Sequence, residues 1–96
     1  MQFLVTALDY TDAEAIDRRM KHREKHLANV RDMIDSGKFL MGGAILDDNE
    51  KMIGSALMLE FPDRESLGQH LAQDPYIDGK VWDKIDIKAI KLVPTK

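Results

Sequence analysis

The residues that decide the fold are 38–61, KFLMGGAILDDNEKMIGSALMLEF, because they contain two apolar runs separated by a polar turn. The first run covers residues 38–44 and ends in a glycine pair, and the second covers residues 51–61. Residues 47–49 between them, two aspartates and an asparagine, favour turns over regular structure. The pattern predicts a β-hairpin of two neighbouring antiparallel strands.

Two further strands and two helices are predicted on either side of this hairpin. Residues 2–8 are apolar and β-rich, and residues 84–93 alternate between apolar and polar positions, so both segments are expected to be strands. A long helix is expected from an N-cap at Asp12 to about residue 36, where Gly37 ends it.

The second helix is predicted to be shorter. Asp63 is its expected N-cap, and Leu67 and Leu71 lie on its apolar side. It must stop before the pair Asp74-Pro75, because the residue preceding a proline is disfavoured in the helical conformation. Residues 76–81 are expected to be irregular.

The resulting order, βαββαβ over a single domain of residues 1–96, predicts an α+β protein of the ferredoxin-like class. Such a fold is a four-stranded antiparallel sheet with both helices on one face. The first strand is apolar on both sides, with Phe3 and Val5 facing one way and Leu4 and Leu8 the other. We therefore expect a homodimer, a dimeric α+β barrel in which a second copy covers the open face of the sheet.

Composition excludes several classes of function. The net charge is −3 with acids and bases interspersed, which predicts neither a nucleic-acid partner nor a membrane-surface partner. The absence of cysteine excludes disulfides, thiolate chemistry and sulfur-based zinc sites. The N-terminal segment lacks a basic leader and its apolar run is short, so we expect a cytoplasmic protein.

The long helix carries two polar side chains where the apolar stripe predicts burial. Arg23 falls at the centre of that stripe and His26 at its edge. A buried guanidinium needs an anionic partner, so the two residues suggest an anion-binding arginine beside an imidazole that moves protons. The alternative is that Arg23 extends its head into water and His26 is a boundary residue. The stripe consists of Ile16, Met20, Leu27, Val30 and Ile34.

Asp74 is the second candidate, because Pro75 fixes the chain beyond it and the carboxylate could orient the imidazole of His26. The same Asp-Pro pair is also a common helix stop with no chemical role. In the predicted fold, the long helix and the end of the second helix lie on the same face of the sheet, so His26 and Asp74 could be in contact.

Two further residues are candidates for ligand binding. Gly42 could let a ligand approach the backbone or could be a bend at the strand end, and Tyr76 could line an apolar pocket.

A metal site is a weaker interpretation. His22 and His26 are four residues apart on one helix face, as in metal-binding pairs, but Arg23 stands where the zincin motif has glutamate. His70 would have to be the third ligand. We expect no metal and no other cofactor. Trp82 is expected in the core or in a dimer contact.

Taken together, the motifs Arg23-x-x-His26-Leu27 and Gln73-Asp74-Pro75-Tyr76, with Gly42 at a strand end, resemble the YciI family of small dimeric α+β barrel proteins. The resemblance implies that His26 and Asp74 form an active-site dyad and that Arg23 matches the motif's arginine. Family members commonly carry Gly-Pro where this chain has Gly42-Gly43.

The family is related to muconolactone isomerase and contains a dehydrochlorinase acting on a chlorinated hydroxyquinol. The resemblance therefore implies acid–base chemistry, of the isomerase or lyase type, on a small cyclic or aromatic acid. In that case His26 and Asp74 are catalytic, and Arg23, Gly42 and Tyr76 bind the ligand. The alternative is a non-catalytic ligand-binding or assembly module of the same fold.

Overall fold

The computed structural model describes residues 1–94, which form four strands and three helices. In chain order they are β1 (Gln2–Asp9), α1 (Ala15–Asp35), β2 (Phe39–Leu46), β3 (Met52–Glu60), α2 (Arg64–Ala72), α3 (Pro75–Asp78) and β4 (Trp82–Ile90). The strands form one antiparallel sheet in the order β2-β3-β1-β4. This is the predicted ferredoxin-like plan, with the helices on one face.

The hairpin of β2 and β3 forms as the sequence predicts, but β2 continues to Leu46, so the predicted strand end at Gly42 is wrong and Gly42 lies inside the strand. The side chain of Asp47 accepts hydrogen bonds from the backbone N–H groups of Asn49 and Lys51, at 2.8 and 2.9 Å. These bonds stabilise the turn, in which Glu50 adopts a φ of 63°. The hairpin places β2 at one edge of the sheet and β3 next to β1.

The core lies between the sheet and the helices. From β1 it takes Phe3, Val5 and Ala7, each with at most 1% of its surface exposed. Leu59 and Leu57 of β3 are the sheet partners of Phe3 and Val5, and Leu67 and Leu71 of α2 pack in the same core cluster. The alternation of β1 therefore decides which face of the sheet receives the helices.

The C-terminus of α1 agrees with the prediction and its N-terminus does not. Gly37 has a φ of +75°, and the N–H of Lys38 donates to the carbonyl of Met33 at 2.8 Å, as in a Schellman motif. The predicted N-cap at Asp12 is wrong, because the helix begins at Ala15 after Glu14. The carboxylate of Asp12 instead binds the guanidinium of Arg18 through two bonds of 2.7 Å.

The inward face of α1 is rotated from the one that the apolar stripe predicts. Met20 and Ile34 are about half exposed, at 51% and 52%. The stripe misidentified this face because it counted hydrophobic residues only, whereas two of the inward positions are polar. The buried residues are Ala15, Arg19, His26, Val30 and Met33.

The segment after α2 is more regular than predicted. Residues 75–78 form the short helix α3, where an irregular stretch was expected. Pro75 occupies its first turn, and the side chain of Asp74 caps it by accepting from the N–H of Tyr76 at 2.9 Å. The predicted cap of α2 is confirmed, since Asp63 accepts from the N–H of Ser66 at 2.7 Å.

The face of the sheet opposite the helices carries an apolar surface, which we call the open face. It includes Leu4 and Leu8 of β1, Met58 of β3 and Met41 of β2, and Met41 is 66% exposed. Along each strand, these residues alternate with the residues that face the helices. None of the helices described for residues 1–94 is both long and apolar enough to cross a membrane.

Candidate active site

A cleft of about 310 Å³ opens between α1 and the strands β2 and β3. Its volume is at the lower end of the range for small-molecule sites, which is about 300–1,000 Å³. The walls combine aliphatic and aromatic side chains with a few polar ones, as binding sites usually do. The lining residues are Arg19, Arg23, His26, Leu27, Val30, Phe39, Gly42, Gly43, Ala44, Ser55, Leu57 and Tyr76.

His26 and Asp74 are in direct contact beside this cleft. The Nδ1 atom of His26 lies 2.9 Å from Oδ1 and 3.1 Å from Oδ2 of Asp74. Both side chains are buried, with 7% and 2% of their surfaces exposed. Because an ionised carboxylate only accepts hydrogen bonds, Nδ1 carries a proton, and Nε2 is left as the nitrogen that can serve a ligand.

The carboxylate of Asp74 is held by two further donors. The backbone N–H of Tyr76 donates to Oδ1 at 2.9 Å, and the side-chain amide of Asn29 donates to Oδ2 at 3.1 Å. One aspartate therefore caps α3 and binds two side chains of α1. This arrangement fixes the carboxylate before any ligand arrives, as an orienting group requires.

Aromatic rings fix the plane of the His26 imidazole. The ring of Tyr76 stacks on it with centroids 4.0 Å apart and an angle of 11° between the planes. Trp82 meets the imidazole edge to face at 5.5 Å. Burial raises the pKa of the Tyr76 hydroxyl, so this group remains protonated at neutral pH. As predicted, Tyr76 lines the cleft, and Trp82 is buried in the core.

The buried guanidinium of α1 belongs to Arg19 and not to Arg23, which corrects the sequence analysis. Nη1 of Arg19 lies 2.9 Å from both carboxylate oxygens of Asp9, and Nη2 donates to Oγ of Ser55 at 2.9 Å. The guanidinium carbon lies 4.9 Å from the centre of the Tyr76 ring. Burial raises the pKa of the Asp9 carboxyl, against the opposing effect of Arg19.

Sequence reasoning missed Arg19, although a signal was present. Residues 19 and 26 are seven apart, which is close to two helical turns, so Arg19 shares the helix face of His26. The anion that such an arginine needs is Asp9, the last residue of β1. Only the fold brings the end of that strand beside the helix.

Arg23 is half-buried and lines the cleft one turn of α1 away from Arg19. Within residues 1–94, its guanidinium has no hydrogen-bond or ion-pair partner. Its charge therefore borders the cleft uncompensated, in contrast to that of Arg19. An anionic ligand would be an electrostatic partner for Arg23.

Gly42 forms part of the cleft wall at a point of close backbone approach. A Cβ atom at this position would lie 2.8 Å from the carbonyl oxygen of Ala56 and 2.9 Å from the ring of Phe39. A Cβ atom on the neighbouring Gly43 would meet nothing within 4 Å. A side chain therefore does not fit at residue 42, whereas residue 43 has room for one.

The other two histidines lie apart from each other. His22 packs against Gly79, where an added Cβ would be 2.4 Å from the imidazole. The ring of His70 lies 5.3 Å from that of Phe61. Across the described part of the chain, no group of three or more histidine, aspartate or glutamate side chains is arranged to hold a metal ion.

The model of the YCII-related domain matches residues 1–91. The chain belongs to the YCII-related family. This YCII-related protein is 27% identical over 99 residues to Protein YciI from Escherichia coli O6:H1, an alignment that covers 97% of this chain and 99% of the relative. An uncharacterized protein from Haemophilus influenzae matches with the same identity and coverage.

Among solved structures, this YCII-related protein is similar to 5-chloro-2-hydroxyhydroquinone dehydrochlorinase (TftG) from Burkholderia phenoliruptrix AC1100, in complex with 2,5-dihydroxybenzoquinone. The TM-score is 0.82 and the identity 22%, over 95% of this chain and 94% of that chain. A conserved protein from Methanosarcina mazei Go1 has a TM-score of 0.56 at 17% identity, covering 95% of this chain and 94% of its own. At such identities the similarity shows a common fold.

Proposed function

We propose that this protein is a small-molecule enzyme that performs acid–base chemistry on a hydroxylated or carboxylated ring. The observation that carries the proposal is the buried pair of His26 and Asp74 beside a cleft with mainly apolar walls. An imidazole oriented by a carboxylate is a common general base, and such a group contributes about 10²–10⁴-fold to a rate. The pair is therefore assigned as catalytic.

In this proposal Nε2 of His26 removes a proton from a hydroxyl or an activated carbon of the ligand. The electron pair of the broken bond stays on the ligand. It is either reprotonated by the imidazolium at another atom, which is an isomerisation, or it expels an anionic leaving group, which is an elimination. Asp74 accepts the Nδ1–H bond throughout and stabilises the imidazolium without taking its proton.

The cleft supports a flat, weakly polar ligand. Leu27, Phe39 and Leu57 supply an apolar wall, and Arg23 supplies a positive charge for a carboxylate or phenolate oxygen. The volume of about 310 Å³ is roughly twice that of an engineered cavity that binds benzene, so one substituted ring fits. The complex of the structural neighbour with 2,5-dihydroxybenzoquinone supports the same class of ligand.

A thermal-shift titration tests the proposal, with 2,5-dihydroxybenzoquinone and benzoate as probes. A ligand that binds only the native state raises the unfolding midpoint. We expect stabilisation of the wild type that is lost in the pair of substitutions Arg23→Ala and His26→Ala. Mass spectrometry of the incubated probe then separates turnover from binding alone. Binding without turnover would identify a ligand-binding module, and stabilisation that survives both substitutions would place the site elsewhere.

We also propose that the protein is a homodimer formed through the open face. Met41 and Leu8 expose 66% and 47% of their surfaces there, and apolar patches of this kind usually mark interfaces. Light scattering at micromolar concentration should give twice the 10.9 kDa chain mass. Met58→Lys should give the monomer mass, whereas Met20→Lys, on the exposed side of α1, should not. A wild-type mass of one chain would contradict the dimer.

A further inference from the structure

Ser55 lies in the cleft wall at the end of the ion pair between Arg19 and Asp9. It belongs to β3 and is 2% exposed. Its Oγ atom accepts two hydrogen bonds, one from Nη2 of Arg19 at 2.9 Å and one from Nε1 of Trp82 at 3.1 Å. One side chain of α1 and one side chain of β4 therefore donate to the same hydroxyl oxygen.

These two bonds determine which way the hydroxyl proton can point. A serine oxygen has two lone pairs and one proton, and both lone pairs are engaged. The indole N–H of Trp82 only donates, and the guanidinium of Arg19 only donates because it stays protonated. Neither neighbour can accept a bond from Ser55 at any ordinary pH. The proton must be directed away from both.

The described residues provide no acceptor for that proton. The hydrogen bonds found within residues 1–94 include none that Ser55 donates from its side chain. The carboxylate of Asp9 is bound by Nη1 of Arg19, and no hydrogen bond joins it to Ser55. Ser55 also lines the cleft, so the remaining direction for its hydroxyl bond is towards a bound molecule.

We propose that Ser55 determines specificity in the cleft, because its hydroxyl is fixed as a donor to a carbonyl or oxyanion oxygen of the ligand. The inference rests on the proposed function, since it assigns a partner to one oxygen of the same ring ligand. A donor held in this way selects oxygen acceptors and rejects a group that itself only donates, because two donors would then face each other. Arg19 and Trp82 are positioning residues that act through Ser55.

The test measures the affinity of 2,5-dihydroxybenzoquinone for four variants by calorimetric titration. Ser55→Ala removes the donor, Ser55→Cys replaces it with a weak one of similar shape, and Ser55→Thr keeps a hydroxyl. Ser36→Ala is the control, because it removes a serine hydroxyl that binds the backbone of α1. We expect about a tenfold loss of affinity in the first two variants, and wild-type affinity in Ser55→Thr and in the control.

A spectroscopic measurement distinguishes this role from a structural one. Vibrational spectra of the bound probe should show a carbonyl stretch at lower frequency in the wild type and in Ser55→Thr than in Ser55→Cys. If Ser55→Ala does not fold, Ser55→Cys carries the comparison. Wild-type affinity and an unchanged carbonyl stretch in Ser55→Cys would overturn the assignment while leaving the proposed function in place. Failure of the wild type to bind the probe would overturn both.

Discussion

Nδ1 of His26 lies 2.9 Å from Oδ1 of Asp74, although 48 residues separate the two in the chain. The contact joins the middle of α1 to the cap of α3. It also explains why Asp74 is buried, since an aspartate that only capped a short surface helix would remain in water.

Asp74→Asn should lower turnover without unfolding the protein. Asparagine is as good an N-cap as aspartate, so α3 should persist, but the negative charge that stabilises the imidazolium of His26 is lost. We expect turnover of a ligand identified by thermal shift to fall by about 10²–10⁴-fold. Asp78→Asn, in the same helix but exposed, is the matched control. Equal turnover in both variants would remove Asp74 from the mechanism.

Arg19→Met should be strongly destabilising, because it leaves the carboxylate of Asp9 buried without a partner. The two side chains are 4% and 5% exposed, and loss of one member of such a pair costs about 3–5 kcal/mol. The double variant with Asp9→Leu should lose much less than the sum of the two single variants. Urea denaturation measures all four unfolding free energies. Additive losses would show that the ion pair contributes no coupling.

The pH dependence of stability should include a contribution from His70. Burial and the nearby charge of Lys38 lower the pKa of His70 in the folded state from its ordinary value of 6.5, against an opposing effect of Asp74. The unfolded chain therefore binds a proton first as the pH falls. The free energy of unfolding decreases from about pH 6.5 downward, and the decrease is complete below the folded-state pKa.

Comparison of wild type with His70→Gln isolates that contribution, because His22 and His26 are common to both proteins. Urea denaturation at pH 7.5 and pH 5 should show a smaller loss of stability on acidification for His70→Gln. An equal loss in the two proteins would mean that His70 binds its proton equally well in the folded and unfolded states.

Much of the fold follows from the sequence, because apolar periodicity and turn residues act locally. The hairpin of residues 38–61, the Schellman end at Gly37 and the cap at Asp63 are all set by neighbours in the chain. The orientation of α1 could not be predicted in this way. Its inward face contains Arg19 and His26, whose burial depends on partners in distant elements.

The candidate site, too, could be predicted from the sequence only in part. His26 and Asp74 could be proposed from two short motifs, since the fold plan allowed them to meet. The sequence does not predict the network of Asp9, Arg19 and Ser55. This network joins β1, α1 and β3 through side chains that no local pattern distinguishes. Buried polar residues are satisfied by tertiary contacts, and hydrophobic periodicity contains no information about those contacts.

Gly42→Ala should destabilise the protein, whereas Gly43→Ala should not. The new Cβ at residue 42 would lie 2.8 Å from the backbone oxygen of Ala56, which cannot move without disturbing β3. Overpacking of this kind costs about 1–3 kcal/mol, and 1 kcal/mol shifts the midpoint of a domain of this size by roughly 4–8 °C. Differential scanning calorimetry measures both midpoints. Equal midpoints for the two variants would contradict the close approach at Gly42.

The central claim is that His26 moves a proton of a ligand bound in the cleft. Exchange of the ring protons of 2,5-dihydroxybenzoquinone in deuterated water, followed by proton NMR, measures this transfer directly. The account predicts that the wild type and His70→Gln accelerate the loss of the ring-proton signal and that His26→Gln does not. An exchange rate that the wild type leaves unchanged, or acceleration that persists in His26→Gln, would contradict it.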